Sequence, residues 1–201
     1  MKDRRQGAGR AKQLLEESLL QLMQYKNIKR ITVRELTAHA GINRSTFYLH
    51  YMDIYDMVEQ LEQRLIYEFY QELNSDHAQR TIQEDVYYFM TVVFSFLKKN
   101  RRMVLILCGE NGDRTFMKRI SEITRSQASV WIHSLLGEHA QKDQEELAAS
   151  FFCSGCVAMV YSWILHDETM DQQKVLELMF QLVRKGAYGF VAEGEIAHKD
   201  A

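Results

Sequence analysis

The chain has 201 residues, 46% hydrophobic and 26% charged; this is enough to bury a sizeable core without disulfides or metals, and it argues against a disordered or fibrous chain. It contains no proline, where an average protein has about 5%, so long helices meet no breaker and an all-α fold is expected; no apolar run is read as approaching the roughly 18 to 20 uncharged residues that span a bilayer, and MKDRRQGAGR leads into no apolar signal core, which places the protein in the cytoplasm with no membrane partner. The net charge of −2 hides an asymmetry: Met1 to Tyr51 carry ten Lys and Arg against four Asp and Glu (+6), the remaining residues fifteen against twenty-three (−8), the distribution expected if one end must approach a polyanion.

From Ala8 to Tyr25, Ala11, Leu14, Leu15, Ser18, Leu19, Leu22 and Met23 recur at spacings of three and four, the stripe of a first helix. After a break at residues 26–30, Thr32 and Glu35 form a threonine-x-x-glutamate capping box for a helix that runs to Ala40. Gly41 supplies the left-handed turn, and Asn43 is placed to cap a short helix, Arg44 to His50. The spacing thus predicts two short helices joined by Gly-Ile-Asn. Val33, Leu36, Ala40, Ile42 and Phe47 face a small shared core, leaving Arg44, Ser45, Tyr48 and Leu49 outward, with Thr46 at the edge. Arginine can donate two hydrogen bonds to guanine in the major groove, and hydroxyls suit several bases. Tyr48, His50, Thr32 and the amides at Asn43 suit phosphate oxygens. These are the parts of a helix-turn-helix, for which double-stranded operator DNA is the expected partner.

Asp53 is read as the cap of a long helix carrying Met57, Leu61, Leu65 and Phe69 on one stripe. Further helices are expected over 81–99, 101–108, 113–136, 143–166 and 171–191. The last has two apolar sides, one with Val175, Met179, Leu182 and Gly186, the other with Leu176, Phe180, Val183, Ala187 and Phe190. The helix before it adds Ala149, Phe152, Gly155, Cys156, Met159 and Trp163. Two such helices from each of two chains would make a four-helix interface about a twofold axis, so Phe152, Met159, Trp163, Val175, Met179 and Leu182 are expected at a homodimer interface. The aromatics Tyr87, Tyr88, Phe89, Phe94, Trp131, Phe151, Phe152 and Tyr161 are read first as core and second as the wall of a pocket for a small apolar effector. The three cysteines are expected to be reduced, and Cys153-x-x-Cys156, inside an apolar helix with no second pair, is read as buried thiols. His166-Asp167-Glu168 reads as a helix end followed by an acidic loop. No catalytic residue, metal site or cofactor is expected.

The segment from Ile31 to Val58 resembles the DNA-binding domain of TetR-family regulators through Thr32-Val33-Arg34-Glu35-Leu36, Ala40-Gly41-Ile42-Asn43, Thr46-Phe47-Tyr48 and His50-Tyr51, a likeness that spans about residues 10 to 58. The stretches 96–120 and 151–179 resemble that family's effector and dimerisation region. The resemblance implies an N-terminal DNA-binding domain (1–53) and a C-terminal helical domain for ligand binding and dimerisation (54–201). It implies base contacts from Arg34, Arg44, Ser45, Thr46 and Leu49, phosphate contacts from Thr32, Asn43, Tyr48 and His50, and a dimeric repressor as the working form. At the position where the family usually carries a phosphate-gripping lysine stands Ile54; Lys26, Lys29, Arg30 and the basic arm Lys2, Arg4, Arg5 and Arg10 are the candidates to replace it. A coactivator or adaptor working mainly through protein contacts is the alternative reading.

Overall fold

The computed structural model describes residues 2–76, 78–136, 142–166 and 169–197, with the side chains of 2–8, 114, 135–136 and 187–197 outside the described set. Among the described residues the structure is entirely helical: α1 (Lys2–Met23), a 3-10 turn (Ile28–Arg30), α2 (Val33–Ala40), α3 (Arg44–Tyr48), α4 (Ile54–Leu73), α5 (Ile82–Lys99), α6 (Arg101–Cys108), α7 (Arg114–Leu136), α8 (Lys142–Leu165) and α9 (Gln172–Ala197). The expected all-α architecture is the observed one. The chain forms two compact units, Met1–Tyr70 with Arg102–Phe116, and Gln71–Arg101 with Met117–Ala201. The first unit is therefore larger than residues 1–53.

The first unit closes on the α1 stripe, where Ala11, Leu15, Leu19, Leu22 and Met23 are buried together with Leu36, Phe47, Ile54, Met57, Val58 and Leu61. Leu14, counted on that stripe from spacing alone, lies partly exposed. Several polar ties then fix the helices. Glu16 of α1 accepts from Tyr51 Oη (2.8 Å) and from both terminal nitrogens of Arg64 on α4 (3.0 and 2.8 Å). Burial first, and Glu16 second, raise the Tyr51 phenol above its usual range, so it remains a donor. Residues 102–116 join through Arg102, paired with Glu17 of α1 at 2.8 Å. Asn111 O accepts from Ile28 N at 3.0 Å, and Glu110 O from Asn27 Nδ2 at 3.2 Å.

The second unit is built on aromatic packing. Phe94 of α5 and Trp163 of α8 are both buried, ring centroids 4.7 Å apart, and Trp163 Nε1 donates to Met170 O. Phe89 meets Trp131 of α7 edge-on at 5.1 Å. Ala128, Ile132 and Ala149 form a second cluster against which Phe152 packs, and the same ring lies 3.0 Å from where a Cβ on Gly186 of α9 would sit. α5 starts with a full capping box, Thr81 and Glu84 each bonding the other's backbone amide.

Two expectations need correction here. Leu147 to Leu165 is nineteen residues without Asp, Glu, Lys or Arg, and α8 is long and apolar enough to cross a membrane by length and composition, contrary to the expectation that the chain has no such run. In this fold α8 buries Ala149, Cys153, Val160, Trp163 and Ile164 within its own unit and leaves another row outward. Secondly, Trp163 and Met179, expected at a dimer interface, lie in the interior of their own chain and have no surface to offer a partner. Truncating Trp163 to alanine should cost about 3–5 kcal/mol of stability, read as a lower urea midpoint; a loss below about 1 kcal/mol would mean that this aromatic pair does not hold the unit together.

Candidate nucleic-acid interface

The Gly-Ile-Asn turn forms as its residues dictate. Gly41 sits at φ 64°, ψ 30°, where a side chain would be strained, and Ile42 N donates back to Thr37 O at 2.9 Å, closing α2. Thr32 Oγ1 accepts from Glu35 N at 3.2 Å. Glu35's carboxylate is gripped by Lys26 Nζ at 2.6 and 2.7 Å, which, with a smaller contribution from the Thr32 amide, holds its pKa below the usual range. Lys26 is thereby committed within the protein. Asn43 occupies the cap position of α3 but makes no capping bond through its side chain, contrary to the expected cap, and its amide has no hydrogen-bond partner among the described residues.

α3 is shorter than expected, ending at Tyr48, although Leu49 keeps helical angles of φ −75° and ψ −20°. Phe47 is wholly buried, against Tyr51 at 5.6 Å, and fixes the inward side. The opposite side emerges: Arg44 and Ser45 are exposed, Tyr48 is 59% and Leu49 80% exposed, and Thr46 is half-buried at the edge. Arg34 and Thr32 are exposed at the start of α2. Thus Thr32, Arg34, Asn43, Arg44, Ser45, Tyr48 and Leu49 all reach solvent on one compact unit. His50 differs, being half-buried with its Nε2 enclosed and unbonded.

Lys29, Arg30, Arg34 and Arg44 are exposed, and among the described residues none of them enters an ion pair. Cations without an acidic partner on the unit that carries an exposed polar helix face are suited to a polyanion. Ile54 is buried, so that position contributes to packing. The side chains of Lys2, Arg4 and Arg5 lie outside the described residues.

Residues 84–185 match the family profile of a TetR-type transcriptional regulator C-terminal region, just over half of the chain. The chain belongs to the TetR family of transcriptional regulators. Its fold resembles that of a TetR-like transcriptional regulator from Rhodococcus sp. RHA1 (TM-score 0.67, 18% identity, 89% of this chain and 96% of that one). It also resembles NalD, the secondary repressor of the MexAB-OprM multidrug efflux pump in Pseudomonas aeruginosa (0.66, 14%, 90% and 97%). A third likeness is to the fatty acid degradation regulator FadR from Bacillus halodurans (0.64, 14%, 86% and 93%). No curated protein sequence matches the chain.

The regulator's second unit has a surface groove of about 490 Å³ lined by Arg80, Tyr87, Tyr88, Thr91 and Phe180 among others. Its polar groups are already engaged. Arg80 pairs with Asp76 and lies over the Tyr88 ring; Tyr88 Oη donates to Leu73 O, Tyr87 Oη accepts from Gln173, and Thr91 Oγ1 donates to Tyr87 O. The groove offers mostly apolar contact. Of the other aromatics, Phe89 and Phe94 are core, while Phe151 is 74% exposed and belongs to neither core nor groove.

The cysteines are free thiols. Burial, with Glu62 nearby, pushes Cys108 up to about 12; burial and then Cys153 push Cys156 up to about 11, and burial raises Cys153 as well. At pH 8 all three should resist alkylation in the native protein and react at once in urea; a native thiol labelled at the unfolded rate would contradict this burial. Because the folded values lie above the unfolded 9.0, the neutral thiols contribute stability that is complete below about pH 9 and is lost between about 9 and 12.

Proposed function

We propose that this regulator is a homodimer that occupies a twofold operator through the outward face of α3 and represses transcription by doing so, in the cytoplasm, under the control of a small apolar effector. One observation carries the reading: a five-residue helix anchored by Phe47, with its C-cap Leu49, turns Arg44, Ser45, Tyr48 and Leu49 to solvent, and Arg44 shares its compact unit with the exposed Lys29, Arg30 and Arg34, none of which has an ion pair among the described residues. Arg44 and Arg34 suit guanine O6 and N7, and Ser45 and Thr46 suit base edges. For phosphates, Thr32 keeps its hydroxyl proton to donate while its oxygen caps α2, the Asn43 amide has no partner among the described residues, and Tyr48 adds its phenol. Of the His50 ring, Nδ1 is the nitrogen left for such a contact. With Ile54 in the core, the backbone grip passes to Lys29 and Arg30.

The dimer reading rests on the second unit, with a revised set of residues. Leu147, Phe151, Gly155, Ala158, Ser162 and Leu165 are exposed in a row along α8, and a Cβ at Gly155 would meet no atom of its own chain within 4 Å. On α9, Leu178 and Leu182 are just over half exposed. Covering such rows with the same rows of a second copy removes apolar area from water at roughly 25 cal/mol per Å². Leu182, Met159 and Val175 remain candidates from the expected set; Phe152 is largely engaged by Gly186 and the α7 cluster. An apolar effector would act by binding one arrangement of the dimer more tightly than another, and the apolar character of the groove supports that class of ligand. The shared fold of NalD, a repressor, supports repression.

On a site enriched from random DNA, Arg44→Ala should lower discrimination against other sequences by about 1–3 kcal/mol. Lys29→Ala should weaken all sequences alike and reduce the slope of log K against log salt by about 1. Fluorescence anisotropy across a salt series reads both, and unchanged selectivity in Arg44→Ala would remove α3 from the groove. In sedimentation velocity, Phe151→Asp combined with Leu182→Asp should give a monomer with an unchanged far-ultraviolet circular dichroism spectrum; a dimer that survives both charges would place the interface elsewhere.

A further inference from the structure

Among the described residues Leu49 is the most exposed of the large apolar side chains at 80%, and Met52, three residues on, is 78% exposed. An exposed leucine is ordinary on a protein surface; what singles out Leu49 is its place beside the exposed Arg44, Ser45 and Tyr48 on α3. Because Leu49 keeps helical backbone angles, it stands one turn beyond Ser45 on the same side of α3, at the i, i+4 spacing that makes neighbours on a helix surface. Whatever Ser45 faces, Leu49 faces too. If that is the floor of the major groove, the apolar group displayed there is the 5-methyl of a pyrimidine, which unmodified DNA carries on thymine alone. Leucine has no hydrogen-bonding atom in its side chain, so it cannot read any base edge by polar contact.

We propose that Leu49 is a specificity-determining residue that selects thymine in each operator half-site by packing on its 5-methyl group, with Met52 extending the apolar surface. This rests on α3 entering the major groove as set out above, and it adds a base identity that Arg44, Ser45 and Thr46 leave open. The contact needs no rearrangement of the first unit, since Leu49 has little packing of its own to lose.

The test uses the full-length protein and synthetic DNA, which is free of 5-methylcytosine. Sites are first enriched from a random pool, and the enriched operator is then made again with every thymine replaced by deoxyuracil, which removes the methyl groups and keeps base pairing. Wild type should bind the deoxyuracil operator about fourfold more weakly for each half-site, from the burial of one methyl-sized group, hence about sixteenfold for the twofold site. Leu49→Ala should bind the thymine and deoxyuracil operators equally, because the partner of the methyl is gone. Equal binding of the two operators by wild type overturns the proposal while leaving α3 in the groove; so does a loss that persists undiminished in Leu49→Ala, since the sensitivity would then belong to another residue or to DNA shape. A chain that enriches no sequence overturns this proposal together with the DNA-binding reading.

Discussion

A helix of five residues has no independent existence in water, because its few hydrogen bonds do not offset the cost of ordering the chain. α3 therefore exists only because the rest of the first unit holds it, and Phe47 is the means: one wholly buried ring that sets the rotation of the helix. Once Phe47 points inward, the directions of Arg44, Ser45, Tyr48 and Leu49 follow from a turn of 100° per residue. Glu16 completes the restraint from behind. It ties α1 to Tyr51, just past α3, and to Arg64 on α4, so the helix is braced at its end as well as by its core ring.

Electrostatics divide the same unit into engaged and available charge. Lys26, Arg64 and Arg102 are matched to Glu35, Glu16 and Glu17, and these pairs shape the scaffold. Lys29, Arg30, Arg34 and Arg44 have no such match among the described residues. The positive balance of the first quarter of the sequence thus resolves into a structural part and a part left for a partner, a distinction that a count of charges does not contain.

How much of this is legible in the sequence depends on how local the determining physics is. Gly41 and Thr32 announce themselves because only a few residues serve a left-handed turn or a helix cap, and Thr81-x-x-Glu84 carries the same signature as Thr32-x-x-Glu35. The recognition face is readable for a similar reason, since one aromatic at Phe47 fixes which side is inward. α8 is the opposite case: apolar on every side, it has no periodicity to tell the core face from the outer one. Spacing accordingly offers Trp163 and Phe152 to a partner, whereas they pack on Phe94 and beside Gly186, and it offers Phe151 to the core or to a pocket wall, whereas that ring stands in solvent. The small residues Gly155, Ala158 and Ser162 were the signal available for the outer row. The membership of residues 102–116 in the first unit is set by long-range bonds that no local pattern encodes.

That membership bears on how the protein is made. Ile28 and Asn27 wait for the backbone of Asn111 and Glu110, and Glu17 for Arg102. During synthesis the N-terminal seventy residues leave the ribosome first, yet they lack part of their wall until about forty-six more have been added, a delay of roughly 2 to 9 s at usual elongation rates. Nascent chains of this length would be the stage at which a chaperone, or a protease, finds its substrate.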